Sequence, residues 1–139
     1  MSDYLTKDEV QALLDASPFI KFMNVQVESL DIAQDRIVMR MPLRPEFERR
    51  AGTGQFHGGA IASLIDLAGD YAIVMKVGAG VPTVNFRTDF LRPAMNTDLI
   101  ATAQVRRAGR TIAVVDIDIH DDEKRLIAIG RGTYVPKAG

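Results

Sequence analysis

The residues able to do chemistry in this chain are few, and most fall in one stretch. Asp66 and Asp70 stand four apart inside the apolar run 58–76, which places them on one face if the run is helical. A carboxylate set among Leu64, Ile65, Leu67 and Ala68 is costly to keep there unless it is paired or used. Asp66 therefore either meets water or an arginine, as structural carboxylates do, or serves as a general base or nucleophile. At the start of the same run stands His57-Gly58-Gly59. The first N–H groups of a helix have no partner within it and carry the positive end of its dipole. Glycine there lets a ligand approach the backbone closely, so the position suits a carbonyl oxygen or an oxyanion.

The elements that must position these groups read as follows. Thr6-Lys7-Asp8-Glu9 is a capping box opening a short helix. It runs to about Ala16, stops before Ser17-Pro18, and lies on the surface through a narrow stripe of Val10, Leu13 and Leu14. Two strands follow. In the first, the apolar parity changes between Val27 and Leu30, which predicts a bulge near Glu28–Ser29. In the second, Ile37, Met39 and Met41 alternate with Arg36, Val38 and Arg40. Residues 42–56 form a long loop before the helix over 58–76, which Gly78 and Gly80 end. Four alternating strands complete the chain: about 84–91, 99–106, 115–120 and 125–135. Short turns between successive strands make them antiparallel neighbours. The expected class is α+β: one long buried helix wrapped by a curved antiparallel sheet of about six strands, as a single domain over residues 1–139 with residues 1–16 as its N-terminal surface helix.

Composition narrows the chemistry. A net charge of −1 leaves no positive excess for nucleic acid, and the absence of cysteine removes disulfides, thiolate nucleophiles and cysteine-bound zinc. The two histidines, His57 and His120, lie far apart, so a histidine-rich metal cluster is not expected. The longest apolar stretch carries two aspartates and is short for a membrane span, and no basic n-region precedes an apolar h-region, so a cytoplasmic protein is expected.

Geometry adds one constraint. Gly58 and Asp66 are about 12 Å apart along a helix axis, at about 1.5 Å per residue, so they cannot both touch one carbonyl group. If they form one site, each comes from a different chain, and the helix packs antiparallel to its two-fold mate. A homodimer is then the minimal unit, with two equivalent sites. The same helix is apolar nearly all round, more than one small sheet can cover.

The stretch Gly54-Gln55-Phe56-His57-Gly58-Gly59, with Asp66 nine residues after the histidine, resembles the hotdog-fold acyl-CoA thioesterases of the PaaI (phenylacetate-degradation) type. So does Thr83-Val84-Asn85-Phe86-Arg87-Thr88-Asp89-Phe90-Leu91-Arg92-Pro93-Ala94, and the order of elements agrees over roughly residues 15–135. The resemblance implies hydrolysis of an acyl- or aryl-CoA thioester to the free acid and CoA. It implies no metal or redox cofactor, coenzyme A being part of the substrate, and assembly to a homotetramer. It assigns Gly58 as the oxyanion-hole donor, His57 as the residue shaping the helix start, Asp66 as nucleophile or general base, and Thr83 as a hydroxyl that orients water or the carboxylate. Gly59, Asp70, Asn85, Arg92, Pro93 and Arg107 are the implied substrate-binding residues, Arg92 and Arg107 toward the CoA phosphates or adenine. One departure stands out. Relatives often carry an asparagine six residues before the histidine; here the position is Ala51, so either Gln55 or another loop group assists the oxyanion hole or the hole is weaker. Two other readings share the fold: a hydratase or dehydratase of hydroxyacyl or enoyl thioesters, and a non-catalytic acyl-CoA-binding module.

Overall fold

The computed structural model describes residues 4–136. The first helix, α1 (Lys7–Ala16), opens on the expected capping box: Glu9 N–H donates to Thr6 Oγ1 at 3.2 Å and Thr6 N–H donates to Glu9 Oε1 at 3.0 Å. Val10 and Leu14 are buried while Leu13 faces out. Gln11 fastens α1 to the sheet, its amide donating to Val25 O and accepting from Val27 N–H. Ser17-Pro18 does end α1, but it also starts a second short helix, α2 (Pro18–Met23). Ser17 is its N-cap and Pro18 sits at the first turn, where a missing N–H is harmless.

The strands are β1 (Gln26–Asp31), β2 (Arg36–Met41), β3 (Thr83–Phe90), β4 (Leu99–Ala108), β5 (Ala113–His120) and β6 (Leu126–Tyr134). They form one antiparallel sheet in the order β1-β2-β4-β5-β6-β3. The bulge lies where the parity change places it, since the register passes from Val27↔Met39 to Ser29↔Val38 and leaves Glu28 over. Short turns make neighbours of β1 and β2 and of β4, β5 and β6. They do not make neighbours of β3 and β4. β3 lies at the far edge against β6, so the segment after it crosses back to the sheet centre.

The long helix α3 (Gly58–Val77) packs on the concave face against β2, β4, β5, β6 and β3. Leu64, Ile65, Ala68, Ala72 and Met75 meet a sheet face that includes Ile37, Met39, Ala101, Val115, Ile117 and Ile119, all fully buried. Gly78 closes the helix in the left-handed region, φ 80°, with its N–H on Val74 O. The opposite face of α3 stays open: Ala62, Ser63, Asp66 and Asp70 are half-buried and Gly59 is exposed. Beside it β3 has one unpaired edge and exposes Val84 (54%), Phe86 (38%) and Phe90 (56%). No helix among the described residues is long and apolar enough to cross a membrane.

Candidate active site

Three cavities open beside the uncovered side of α3; one, of about 240 Å³, is lined by His57, Gly59, Ser63, Phe19 and Phe22, and the other two hold Asp66 and Gly58 respectively. The larger, about 490 Å³, has Asp66 and Asp70 in its wall together with Ser63, Tyr71, Phe86 of β3, and Phe19, Ile20 and Met23 of α2. Among the described residues no cation pairs with either carboxylate. Their shared partner is Thr83: its hydroxyl donates to Asp66 Oδ1 at 2.8 Å and lies 3.5 Å from Asp70 Oδ2.

The local fold explains this placement. Thr83 begins β3 opposite Tyr134 of β6, next to a register shift, and so turns its side chain onto α3. Tyr134 is fully buried and donates to the backbone carbonyl of Asp66 at 3.1 Å. The phenol fits only because its neighbours lack side chains. A Cβ on Gly69 would sit 2.2 Å from the Tyr134 oxygen, and one on Gly132 would sit 2.1 Å from it. Gly69 is thus buried against β6 and does not belong to the open small-residue face of Gly59, Ala62 and Ser63.

Burial, and then the charge of Asp66, push the Asp70 carboxyl up to about 7. Burial and the two carboxylates push the Tyr134 phenol well above its usual range, which keeps it a neutral donor. Burial followed by Asp70 does the same for Tyr71.

The second cavity, about 350 Å³, lies at the helix start and is lined by Gly58, Gln55, Phe56, Phe90, Arg49, Arg92, Pro93 and Ala94. Glu48 shapes the loop that leads into it, accepting from Gly54 N–H at 2.5 Å and Gly52 N–H at 3.3 Å. Gly54 has φ +71°, and a Cβ there would lie 1.9 Å from the side chain of Asn96. His57 N–H donates to Phe47 O, which sets the entry angle of the helix. His57 Nδ1 caps α3 by accepting from Gly59 N–H at 2.8 Å, so Nδ1 carries no proton in this arrangement. The Gly59 donor is thereby used. Gly58 N–H has no acceptor among the described residues, and Gly58 lines the cavity at the positive end of the dipole. It is the free donor of the site. Ala51 is exposed at a turn, whereas Gln55 shares the cavity with Gly58.

One chain thus brings Asp66, Asp70 and Thr83 together, and separately His57, Gly58, Gly59, Arg92 and Pro93. It does not bring Asn85 or Arg107 to either group. Asn85 is exposed and shares strand parity with Arg87 and Asp89, which line the outer face of the sheet. Arg107 is exposed at the end of β4, near the C-terminal end of α3, where Lys76 pairs with Asp35 and Val105 N–H meets Asp35 O. That is the end of the helix opposite Gly58. Tyr134 and α2 are the site components the sequence reading lacked. The traces they leave are Gly69 inside a helix, Gly132 two residues before Tyr134, and Ser17-Pro18 read as a start.

The family model of the thioesterase superfamily matches residues 53–128. A Halobacterium salinarum protein named "putative esterase" is 35% identical over 90% of this chain and 88% of its own length. The medium/long-chain acyl-CoA thioesterase YigI of Escherichia coli is 31% identical over 57% of this chain and 61% of its own length. Among solved structures, the E. coli PaaI protein from the phenylacetic acid degradation operon superimposes with a TM-score of 0.81 at 28% identity, covering 96% of each chain. The chain therefore belongs to the thioesterase superfamily, as a thioester hydrolase with the hotdog fold.

Proposed function

We propose that this protein hydrolyses acyl-CoA thioesters to the free acid and CoA, in two equivalent sites each built from two copies of the chain. The observation that carries the reading is the division of labour along α3. A carboxylate oriented by Thr83 and an unused Gly58 N–H lie in separate cavities on one open helix face. Neither is complete alone, and about 12 Å of helix lies between them. An antiparallel two-fold mate would set the Asp66 of one copy against the Gly58 of the other. The edge of β3, with its exposed apolar row, supports such a mate, because an unpaired apolar edge is a template for strand pairing. A relative named for acyl-CoA thioester hydrolysis, YigI, supports the substrate class.

In this site the thioester carbonyl oxygen accepts from Gly58 N–H, which stabilises the charge that develops as the carbon becomes tetrahedral. The carboxylate contributed by the other copy attacks that carbon or removes a proton from an attacking water. The C–S bond then breaks, the electron pair leaves with the CoA sulfur, and the thiolate takes up a proton; where the carboxylate itself attacked, water then cleaves the acyl–aspartate anhydride, releasing the free acid and restoring the carboxylate. His57 keeps the helix start open by capping Gly59, and Thr83 holds the carboxylate in place. Coenzyme A enters as part of the substrate, and no resident cofactor is proposed. Arg92 and Arg49 at the Gly58 cavity are the cations available to its phosphates. Arg107 lies toward the opposite end of α3 and does not line that cavity. The homotetramer implied by the resemblance is a further level of assembly, read by sedimentation.

The test is release of free thiol from a panel of alkyl- and aryl-CoA thioesters, with Asp66→Asn as the reference. Turnover well above that variant on at least one ester is expected. Turnover equal to it on every ester contradicts the reading, and tight ester binding without turnover would make the protein a binding module.

A further inference from the structure

We propose that Asp70 is a positioning residue for the hydrolysis, held as the neutral acid so that it donates to Thr83 and fixes the Thr83 hydroxyl on Asp66. The inference rests on the thioesterase reading for its catalytic consequence, and on hydrogen counting for its structure. Thr83 Oγ1 lies 2.8 Å from one carboxyl oxygen and 3.5 Å from another. A threonine hydroxyl has one proton and two lone pairs. It cannot donate to both carboxylates. The shorter contact takes the proton, to Asp66. Asp70 can close the longer contact by donating, its carboxyl O–H pointing at a lone pair of Thr83 Oγ1. The chain of donors runs Asp70 → Thr83 → Asp66, and no proton leaves Asp70 during turnover.

The surroundings agree. The groups facing Asp70 are Asp66 and Tyr71 of α3, Thr83 of β3, Tyr134 of β6, and the apolar Phe19, Ile20 and Met23 of α2. No cation is among them, and both phenols are kept neutral. Two carboxylates on adjacent turns of a half-buried helix face cannot easily both ionise. One must keep its proton, and burial places it on Asp70, whose carboxyl is pushed up to about 7. When Asp70 ionises, the Thr83 proton has two competing acceptors, and Asp66 loses the fixed orientation that attack on a thioester requires.

Two readouts on the full-length protein test this. The first is independent of turnover: infrared titration of the carboxylic acid C=O band between pH 5 and 9, for wild type and Asp70→Asn. A band that disappears near pH 7 in the wild type and is missing from Asp70→Asn is expected. Its absence from the wild type at pH 5.5 would overturn the proposal, whatever the activity. The second is the pH profile of kcat/KM. The wild type should lose activity above about pH 7, and Asp70→Asn should lack that alkaline limb. An asparagine amide can still donate to Thr83, so at pH 6 Asp70→Asn should exceed Asp70→Ala by about 10-fold. An alkaline limb shared by wild type and Asp70→Asn, or equal activity of the two variants at pH 6, would remove Asp70 from the positioning role. A protein that shows the infrared band but hydrolyses no thioester refutes the thioesterase reading alone.

Discussion

Replacing Asp70 with asparagine should make the protein more stable at alkaline pH and leave its stability nearly unchanged in acid. The Asp70 carboxyl titrates near 3.8 when free and is raised to about 7 in the folded chain, by burial first and by the charge of Asp66 second. Between those two values the folded chain holds a proton that the unfolded chain has released, so stability falls as pH rises from about 4 to about 7. Below that window both states are protonated, and above it the full cost is present. At about 1.36 kcal/mol per pH unit, the full separation is worth about 4 kcal/mol as an upper bound. The cavity is open on one side and water solvates part of the carboxylate, so about 2 kcal/mol is the working figure. Asparagine carries no charge to desolvate. For a chain of this size 1 kcal/mol moves Tm by about 3 °C, which gives an advantage of about 6 °C to Asp70→Asn at pH 8. The assay is thermal unfolding of both proteins from pH 4.5 to 8.5 at matched concentration, because assembly also shifts Tm. A Tm difference that stays constant across this range would refute the reasoning.

Other substitutions probe the remaining parts. Gly69→Ala would put a Cβ 2.2 Å from the Tyr134 oxygen and displace the phenol from the Asp66 carbonyl; a loss of about 2–3 kcal/mol in denaturant unfolding is expected. Thr83→Val keeps the shape of the side chain and removes the hydroxyl; kcat/KM should fall by about 10-fold, with most of it restored in Thr83→Ser. Gly58→Pro removes the free N–H at the first helical position, where proline is favoured, and His57 already has the extended backbone (φ −66°, ψ 139°) that precedes a proline. Its kcat should fall by about 100-fold while its circular dichroism and Tm stay close to wild type.

Local patterns were the legible part of the sequence. The capping box, the bulge at Glu28, the helix over 58–76 and the alternation of β2, β4 and β5 follow from spacing, and the structure carries them; β3 departs, with its apolar row of Val84, Phe86 and Phe90 exposed. Long-range placement was not legible. β3 pairs with β6 rather than with its sequence neighbour β4, because the buried helix and the sheet edge decide that, not a turn. Ser17-Pro18 shows the limit of a breaker signal: the same two residues stop α1 and start α2. Within the site, Asp66 and Gly58 announced themselves as a misplaced carboxylate and a glycine at a helix start. Thr83 entered only through family resemblance, and its role as partner to both carboxylates depends on the fold bringing β3 across α3. Tyr134 lies 68 residues from Asp66 in the chain, and no spacing rule connects them.

The central claim is that each site takes its carboxylate and its oxyanion donor from different chains. Differently tagged Asp66→Asn and Gly58→Pro chains can be co-expressed and the mixed dimers isolated. Each parent should be inactive. In the mixed dimer one site carries both lesions and the other carries neither, so about half of the wild-type kcat per dimer should return. A mixed dimer as inactive as its parents would place both groups of each site in one chain and contradict the account.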